Sequence, residues 1–462
     1  MKYCKRVFEG LYCMPGGDVS LCSWTDAVIG NIFEENLEHI WNSELAEKVR
    51  ISIKDGSFRY CRKTSCPYLE NDTLPEISTE ELIAQTSEPW PTDFNLANSI
   101  ICNHSCPSCR DKILNVDQGY LEKLKEYLKI LFPYINKAKH INLNGAGEVF
   151  ANPIMLEMLE KLNPEHPDFN LSLETNGALF TRKNWDKIKH LSKYPISVAV
   201  TPNSFVRATH AYLAGGHNDY DHVIENMYFI KELRQKKLIQ RYEISIVVQD
   251  RNFQELPEFI ERCVNDFEAD KVTIKPLYKW FYMSEELYWF KDILNPYHPY
   301  HKEYLNILNN PILDHPKVYL WGAKNLHKAK LHPAYKYRDL LRIAKELMLI
   351  SDAGRKQLAD IVKNNNLIVY GDNELSYIIC KVLEDSGSKV QCIMARDFSC
   401  ESNAPHGIRM ENFQEYSPSA NDILLISNYY DRKYIERDLT LKKFNGQLLD
   451  IEEVLKLIKK DL

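Results

Sequence analysis

Between residues 94 and 280, short apolar strand-like runs alternate with helix-like segments, and this periodicity narrows the fold more than any other feature of the chain. The runs are Asn95–Cys102, His140–Asn144, Phe169–Glu174, Ile196–Val200, Tyr242–Val248 and Lys271–Pro276. Between the first two, Leu121, Leu124, Leu128, Leu131, Phe132 and Ile135 share one helical face. Further helical patterns fall near 153–162, 182–192, 220–235 and 253–267. Strands separated by helices predict parallel βαβ units. Six such units are too few for an eight-unit barrel, so the pattern predicts an α/β fold with an open or partial barrel. Polar residues follow most runs: Asn103, Gly145 to Glu148, Thr175 with Asn176, Thr201 with Asn203, and Gln249 with Asp250. In parallel α/β folds the functional site lies beyond the carboxyl ends of the strands.

Other stretches have their own character. Residues 1–72 form a small cysteine-rich domain with one amphipathic segment, Leu37, Ile40, Trp41, Leu45 and Val49. Residues 71–93 are polar and proline-containing, as a linker is. Residues 281–364 read as an irregular, then helical, connector after the 94–280 barrel region. At 365–462 a second α/β pattern begins with Leu367–Tyr370, a turn at Gly371, a helix to about Asp385 and a strand over Lys389–Met394. A further strand at Ile423–Ile426 and a helix from about Glu452 complete it.

The formal net charge of −6 and the lack of a basic run speak against nucleic-acid binding. No apolar stretch approaches the ~20 residues of a membrane span, and no apolar signal core follows Met1, so a cytoplasmic setting is expected. In a reducing compartment, clustered cysteines are metal ligands or reactive groups. Eight of the twelve precede residue 110. The others, Cys263, Cys380, Cys392 and Cys400, are scattered, and Cys263 and Cys380 sit in helical apolar patterns as small buried hydrophobes.

Cys102, Cys106 and Cys109 are spaced C-x3-C-x2-C just after the first strand-like run. Three thiolates on one loop can converge on one centre, and soft thiolates select zinc or iron–sulfur clusters. A four-iron cluster takes four ligands. With three protein thiolates, one iron stays open to an exogenous ligand, as a catalytic cluster requires. A zinc site completed by His104 or a distant residue, and three unligated thiols, are the alternatives.

This spacing, after the first strand of a six-unit α/β region, resembles the radical S-adenosylmethionine (SAM) superfamily. The resemblance implies a partial (β/α)6 barrel and a [4Fe–4S] cluster on Cys102, Cys106 and Cys109. It also implies that the cluster's open iron chelates SAM, whose reductive cleavage yields a radical that takes a hydrogen atom from substrate. The turn Gly145-Ala146-Gly147-Glu148 is similar to the family's glycine-glutamate turn, which holds the methionine amino group, and Thr175-Asn176 to its T-N-G segment. Two departures stand out. Ser108 replaces the usual aromatic residue before the third cysteine, and Ala199 and Thr201 fall where a ribose-binding Ser and Asp are common.

Further upstream, Cys4-x12-Gly17-x4-Cys22, Gly30-Asn31-Ile32, Ile40-Trp41 and Cys61-x4-Cys66 resemble a SPASM auxiliary-cluster domain, placed here before the barrel. The resemblance implies a second iron–sulfur cluster on Cys4, Cys22, Cys61 and Cys66, with Cys13 as an alternative to Cys4. A zinc Cys4 knuckle is the structural alternative.

The segment from Leu367 looks like the start of a Rossmann-like domain, but Asn373 and Ser376 stand where nucleotide-binding glycines would be, so NAD is not expected. The paired His298 and His301 read as packed loop residues. Together these features predict an enzyme of the radical SAM oxidoreductase or epimerase class, acting on a peptide or carbohydrate-like small molecule by oxidation, epimerisation or cross-linking. An external one-electron reductant such as flavodoxin or ferredoxin is expected, with neither nucleic acid nor membrane as partner. Glu174, Asp250 and Tyr278 are the candidate catalytic side chains. Two rival readings are a non-catalytic zinc-binding adaptor and a Rossmann-type nucleotide-sugar enzyme.

Overall fold

Parallel strands in register account for most of the alternation. The computed structural model describes the chain except for residues 1, 63–65, 71–72, 111, 145, 279–282, 296, 322–342, 344–345, 372–373, 396–407, 414–415, 428–435, 437–438, 441 and 460–462. The chain divides into two units, Met1–Gly56 with Ser65–Lys330, and Ser57–Thr64 with Leu331–Leu462.

The first unit holds a 10-stranded sheet. Its strands are β1 (Gly10–Cys13), β2 (Asp18–Ser20), β3 (Gly30–Asn31), β4 (Asp93–Leu96), β5 (His140–Leu143), β6 (Asn170–Thr175), β7 (Ile196–Val200), β8 (Arg241–Val248), β9 (Lys271–Pro276) and β10 (Val318–Leu320). They lie in the order β10-β9-β8-β7-β6-β5-β4-β1-β2-β3. Every neighbour from β10 to β1 is parallel. β2 and β3 close this end as antiparallel additions.

Burial alternates along the strands, as a pleated sheet with two unlike faces demands. Phe94, Ile141, Leu143, Leu171, Leu173 and Val198 are fully buried on one face. The other face carries a half-buried row, Asn95, Asn142, Ser172 and Ser197, paired across β4 to β7. Charges on this face pair off: Lys271 lies 3.4 Å from Glu243, and Lys275 lies 3.6 Å from Glu174.

Four sequence expectations change. The first predicted strand, Asn95–Cys102, ends at Leu96, and the rest of it is loop. The cysteine-rich segment is not separated from the sheet by the proline-containing linker, because β1 hydrogen-bonds along β4 from Gly10↔Asp93 to Cys13↔Leu96. An exposed edge on β4 is thereby covered. The stretch read as an irregular connector supplies β10, which does the same for β9. The single amphipathic segment is two helices, Leu37–Trp41 and Glu44–Lys54, because Ser43 caps the second by accepting from the Ala46 N–H. Their packing is locked by Arg50, 2 % exposed, which donates to the carbonyls of Val7 and Trp41 and lies 4.5 Å from the Trp41 ring centre.

The second unit is a 5-stranded sheet of β11 (Asn366–Tyr370), β12 (Val390–Ala395), β13 (Met410–Asn412), β14 (Asp422–Ile426) and β15 (Gln447–Asp450), in the order β13-β12-β11-β14-β15. All its pairings are parallel. Leu367, Val369, Ile423 and Leu425 pack on one face against the helices Asp352–Ile361, Glu374–Asp385 and Ile451–Lys459. Ile368, Tyr370, Leu424 and Ile426 pack on the other. The order reverses direction between β11 and β14, where doubly wound sheets open a crevice. The short β13 and β15 had no sequence signal. Of the helical part expected of the 281–364 connector, the helix Asp352–Ile361 and a turn of helix near 346–348 are among the described residues. Among the described residues, no helix is long and apolar enough to cross a membrane.

One buried acid in the first unit gives a stability test. Burial pushes the Asp292 carboxyl up to about 7, against a donated Leu294 N–H that works the other way. A folded-state pKa above the unfolded one means that the stabilising proton is fully present below the unfolded value and lost as pH rises through about 7. Asp292→Asn should therefore unfold at a higher temperature than wild type at pH 8, with the advantage shrinking as pH falls to 5. Equal melting temperatures across that range would contradict the assignment.

Candidate iron–sulfur sites

The loop after β4 turns back on itself at its second cysteine. The N–H groups of Cys109 and Arg110 both donate to the Cys106 carbonyl, at 2.8 and 2.9 Å, which turns the chain tightly between the second and third cysteine. Burial raises Cys106, and the charges of Cys102 and Cys109 raise it further, so the three sulfurs lie within electrostatic reach of one another. Burial also pushes Cys102 up to about 11, opposed by the His104 N–H that donates to its sulfur at 3.4 Å. Thiols held this far above neutrality are protonated until a cation displaces the proton.

Arg110, 4 % exposed, was not singled out by sequence reasoning, yet it joins this loop to the turn after β5. It donates to the Ile100 carbonyl at 2.8 Å and the Ala146 carbonyl at 2.7 Å, and its Nη2 lies 3.6 Å from Cys109 Sγ. Two further contacts reinforce the junction. The Glu148 N–H donates to the Ile101 carbonyl at 2.8 Å. A Cβ added at Gly147 would collide with the Ile101 carbonyl oxygen and come within 2.8 Å of that of Ser99, so only glycine lets the two backbones approach this closely.

Glu148 is 3 % exposed and orders the next turn. Its carboxylate accepts from Thr175 Oγ1 at 2.8 Å and from the Asn176 N–H at 2.7 Å. Asn176 Nδ2 reaches back to Asn103 Oδ1 at 2.9 Å. Burial raises the Glu148 carboxyl despite these donors. Of the predicted residues, Ala146, Gly147, Glu148, Thr175 and Asn176 thus adjoin the loop of Cys102, Cys106 and Cys109, while Gly145 lies outside the described residues. A cavity of about 20 Å³ beside them is lined by Asn98, Asn144, Gly147, Glu148 and Glu174 among others. Asn98 is 2 % exposed, and neither its side-chain nitrogen nor its oxygen has a hydrogen-bond partner; nor has Asn144 Oδ1. Buried amides without partners are what a polar ligand or an ordered water satisfies.

At the N-terminus, Cys4, Cys22 and Cys66 form a second group. Burial pushes Cys4 up to about 12, and the charges of Cys22 and Cys66 add to it. Burial also raises Cys22 and Cys66, while N–H groups donated to their sulfurs oppose it, from Trp24 to Cys22 and from Leu69 and Tyr68 to Cys66. Arg6 supplies a nearby positive charge and donates to the Tyr68 hydroxyl at 2.8 Å. Cys13 lies elsewhere, fully buried on β1 and near the Tyr127 hydroxyl. Cys61 belongs to Ser57–Thr64, which groups with the other unit. From Cys22 an aromatic group runs towards the end of β9. The Trp24 ring lies 6.4 Å from Tyr278 and 6.5 Å from Trp321, and Lys275 lies 5.9 Å from the Trp321 ring centre.

Among the described residues, no three His, Cys, Asp or Glu side chains are placed to share one metal ion. A cubane cluster does not ask for that, since each thiolate takes a different iron. Ligands of a single zinc, each at ~2.3 Å, must nearly touch. A cradle only glycine permits and unpartnered amides beside the trio fit a cluster with a polar ligand next to it. The other candidates are less telling. Asp250 lies 3.8 Å from the buried Lys291 ammonium, and burial raises its carboxyl. His301 Nδ1 lies 2.9 Å from the Ile293 carbonyl, and His298 Nε2 lies 3.1 Å from the Phe290 carbonyl, which is the packed role expected of them.

Comparison with known families bears on these two groups of thiols. Residues 4–67 match the SPASM family, described as an iron–sulfur cluster-binding domain. The match covers the N-terminal cysteine-rich segment, in keeping with its resemblance to the SPASM domains that some radical SAM enzymes carry. Among solved structures, Streptococcus suis SuiB bound to its precursor peptide SuiA aligns at 14 % identity and a TM-score of 0.30, over 52 % of this chain and 55 % of SuiB. SuiB bound to S-adenosylmethionine aligns at 12 % identity and a TM-score of 0.35, over 65 % of this chain and 68 % of SuiB. These superpositions are loose. Comparison with curated proteins gives no match.

If Gly147 is required for the approach of the two loops, Gly147→Ala must push them apart. We expect it to destabilise the protein by about 1–3 kcal/mol, as overpacking does, read as a lower urea midpoint for the first unit. An unchanged midpoint would show that the turn can move freely.

Proposed function

We propose that the chain is a radical SAM enzyme that modifies a peptide. The observation that carries this reading is the junction at Arg110, which binds the cysteine trio to the glycine turn as a single assembly. The SPASM match supports the cluster chemistry, and the resemblance to SPASM-carrying radical SAM enzymes leans the substrate towards peptide. In this reading the parallel strands of the first unit form a partial (β/α)6 barrel over residues 94–280. The domain before it covers 1–72, the connector 281–364, and the Rossmann-like domain 365–462.

Cys102, Cys106 and Cys109 would hold the catalytic cluster. When bound there, that cluster supplies the electron that cleaves SAM and generates the radical that takes hydrogen from substrate. The chain's own residues do the rest. The Ala146-Gly147-Glu148 turn seats the amino group of SAM. Glu148 keeps Thr175 and the Asn176 backbone facing the same space. Cys4, Cys22 and Cys66 would hold an auxiliary cluster, without Cys13. Glu174, Asp250 and Tyr278 follow or end strands β6, β8 and β9, where a substrate proton has to be handled. The product is an oxidised, epimerised or cross-linked residue. A flavodoxin or ferredoxin would supply electrons in a cytoplasmic setting.

The test is anaerobic purification followed by dithionite reduction in the presence of SAM. The wild-type protein should carry about four to eight irons per chain and form 5′-deoxyadenosine. Cys106→Ala should lose the trio's share of iron and form none. Cys22→Ala should still cleave SAM but fail to convert substrate. A colourless protein with stoichiometric zinc, or 5′-deoxyadenosine formation that survives Cys106→Ala, would overturn the reading.

A further inference from the structure

Asp219 occupies the N-cap of the helix Tyr220–Gln235, yet its side chain makes no cap hydrogen bond. Aspartate at this position normally accepts from an N–H of the first helical turn. Here both oxygens are used for something else. Oδ2 lies 2.6 Å from His104 Nε2, and Oδ1 lies 3.1 Å from His210 Nε2. The two imidazoles are 3 % and 2 % exposed. They hold the Asp219 carboxyl well below the usual range, although burial alone would raise it. The other ring nitrogen of His210, Nδ1, lies 3.0 Å from the Pro202 carbonyl, which can only accept, so Nδ1 is the donor there.

The partners of this carboxylate matter because His104 stands between the first two cysteines of the trio. Its ring is gripped by Asp219 and stacked on His217, with centroids 5.5 Å apart and planes at 19°. Its backbone N–H is the group that donates to Cys102 Sγ. A ring held in place holds its own backbone N–H in place. The next residue is seated too: Ser105 Oγ donates to the Gly215 carbonyl at 3.4 Å, and Gly215, at φ +82°, has no room for a Cβ against Ser105. Hydrogen bonds to ligand sulfurs are among the groups that set the properties of an iron–sulfur cluster.

We propose that Asp219 is a positioning residue for the catalytic cluster. By clamping His104 and His210 it fixes the middle of the cysteine loop and the N–H that Cys102 receives. The proposal rests on the reading of the trio as a cluster site. It explains why a helix of 16 residues forgoes its cap: the carboxylate is committed to the loop instead.

The experiment uses the full chain, reconstituted anaerobically, as wild type, Asp219→Ala and the near-isosteric Asp219→Asn. The signal of the reduced protein that shifts on adding SAM, read by electron paramagnetic resonance, identifies the trio's cluster apart from the auxiliary one. Iron release to a chelator is then timed. Loss of an outer-shell partner typically costs 10–100-fold in metal affinity, so Asp219→Ala should release the trio's iron at least about tenfold faster and alter the SAM-responsive signal. Asp219→Asn, which keeps one acceptor oxygen, should lie between the two. Melting of the iron-free proteins separates a positioning role from general damage: the Asn variant should melt with wild type. If the wild-type signal responds to SAM and both variants release iron and resonate as wild type does, the clamp is refuted alone. If the Asn variant's iron-free form melts well below wild type, Asp219 is a structural residue and the proposal also fails. If wild type itself shows no SAM-responsive signal, the cluster reading fails, and the clamp has nothing to position.

Discussion

One guanidinium carries the architecture of the candidate catalytic centre. Arg110 is bonded to the carbonyl before the cysteine loop, to the carbonyl within the glycine turn and to the third cysteine's sulfur. Without it, two loops from neighbouring strands would face each other with half-buried carbonyls unsatisfied. With it, the trio and the turn behave as one piece, and Glu148 extends that piece to the turn after β6. A positive charge that cannot be neutralised also sits beside three thiols that have to lose their protons on binding a cluster.

The same logic recurs at the N-terminus on a smaller scale. Arg6 lies near Cys4 and Cys22, and backbone N–H groups are donated to Cys22 and Cys66. In both places an arginine and a few N–H groups prepare buried sulfur for negative charge. β1 ties the N-terminal group into the sheet that carries the trio, and Trp24, two residues after Cys22, lies against Tyr278 and Trp321. The SPASM-like domain is therefore continuous with the sheet rather than appended to it, although it precedes the strands in sequence.

Local signals were legible in the chain, and non-local ones were not. β5, β6, β7, β8 and β9 lie within about a residue or two of the apolar runs, because each buries alternate side chains under helices. β10 and β13 are too short to show a period. β1 is hidden among cysteines, and what makes it a strand is the bare edge of β4. The trio was legible from spacing alone, since three soft ligands on one loop have few other uses. Arg110 and Asp219 were not, because an arginine after a cysteine and an aspartate before a helix are ordinary. Their meaning comes from the Ala146 carbonyl and from His104, 36 and 115 positions away. The choice between Cys4 and Cys13 was likewise open in the sequence; the chain sets Cys13 against Tyr127 and Cys4 beside Cys22.

The central claim is that the loop holds a four-iron cluster by three thiolates and leaves one iron for SAM. Mössbauer spectroscopy of protein reconstituted with iron-57 addresses this directly. The account predicts that adding SAM changes the parameters of one iron in four of the trio's cluster, while the iron bound by the N-terminal cysteines is unaffected. A spectrum indifferent to SAM, or one in which every iron already has a full set of protein ligands, would contradict it.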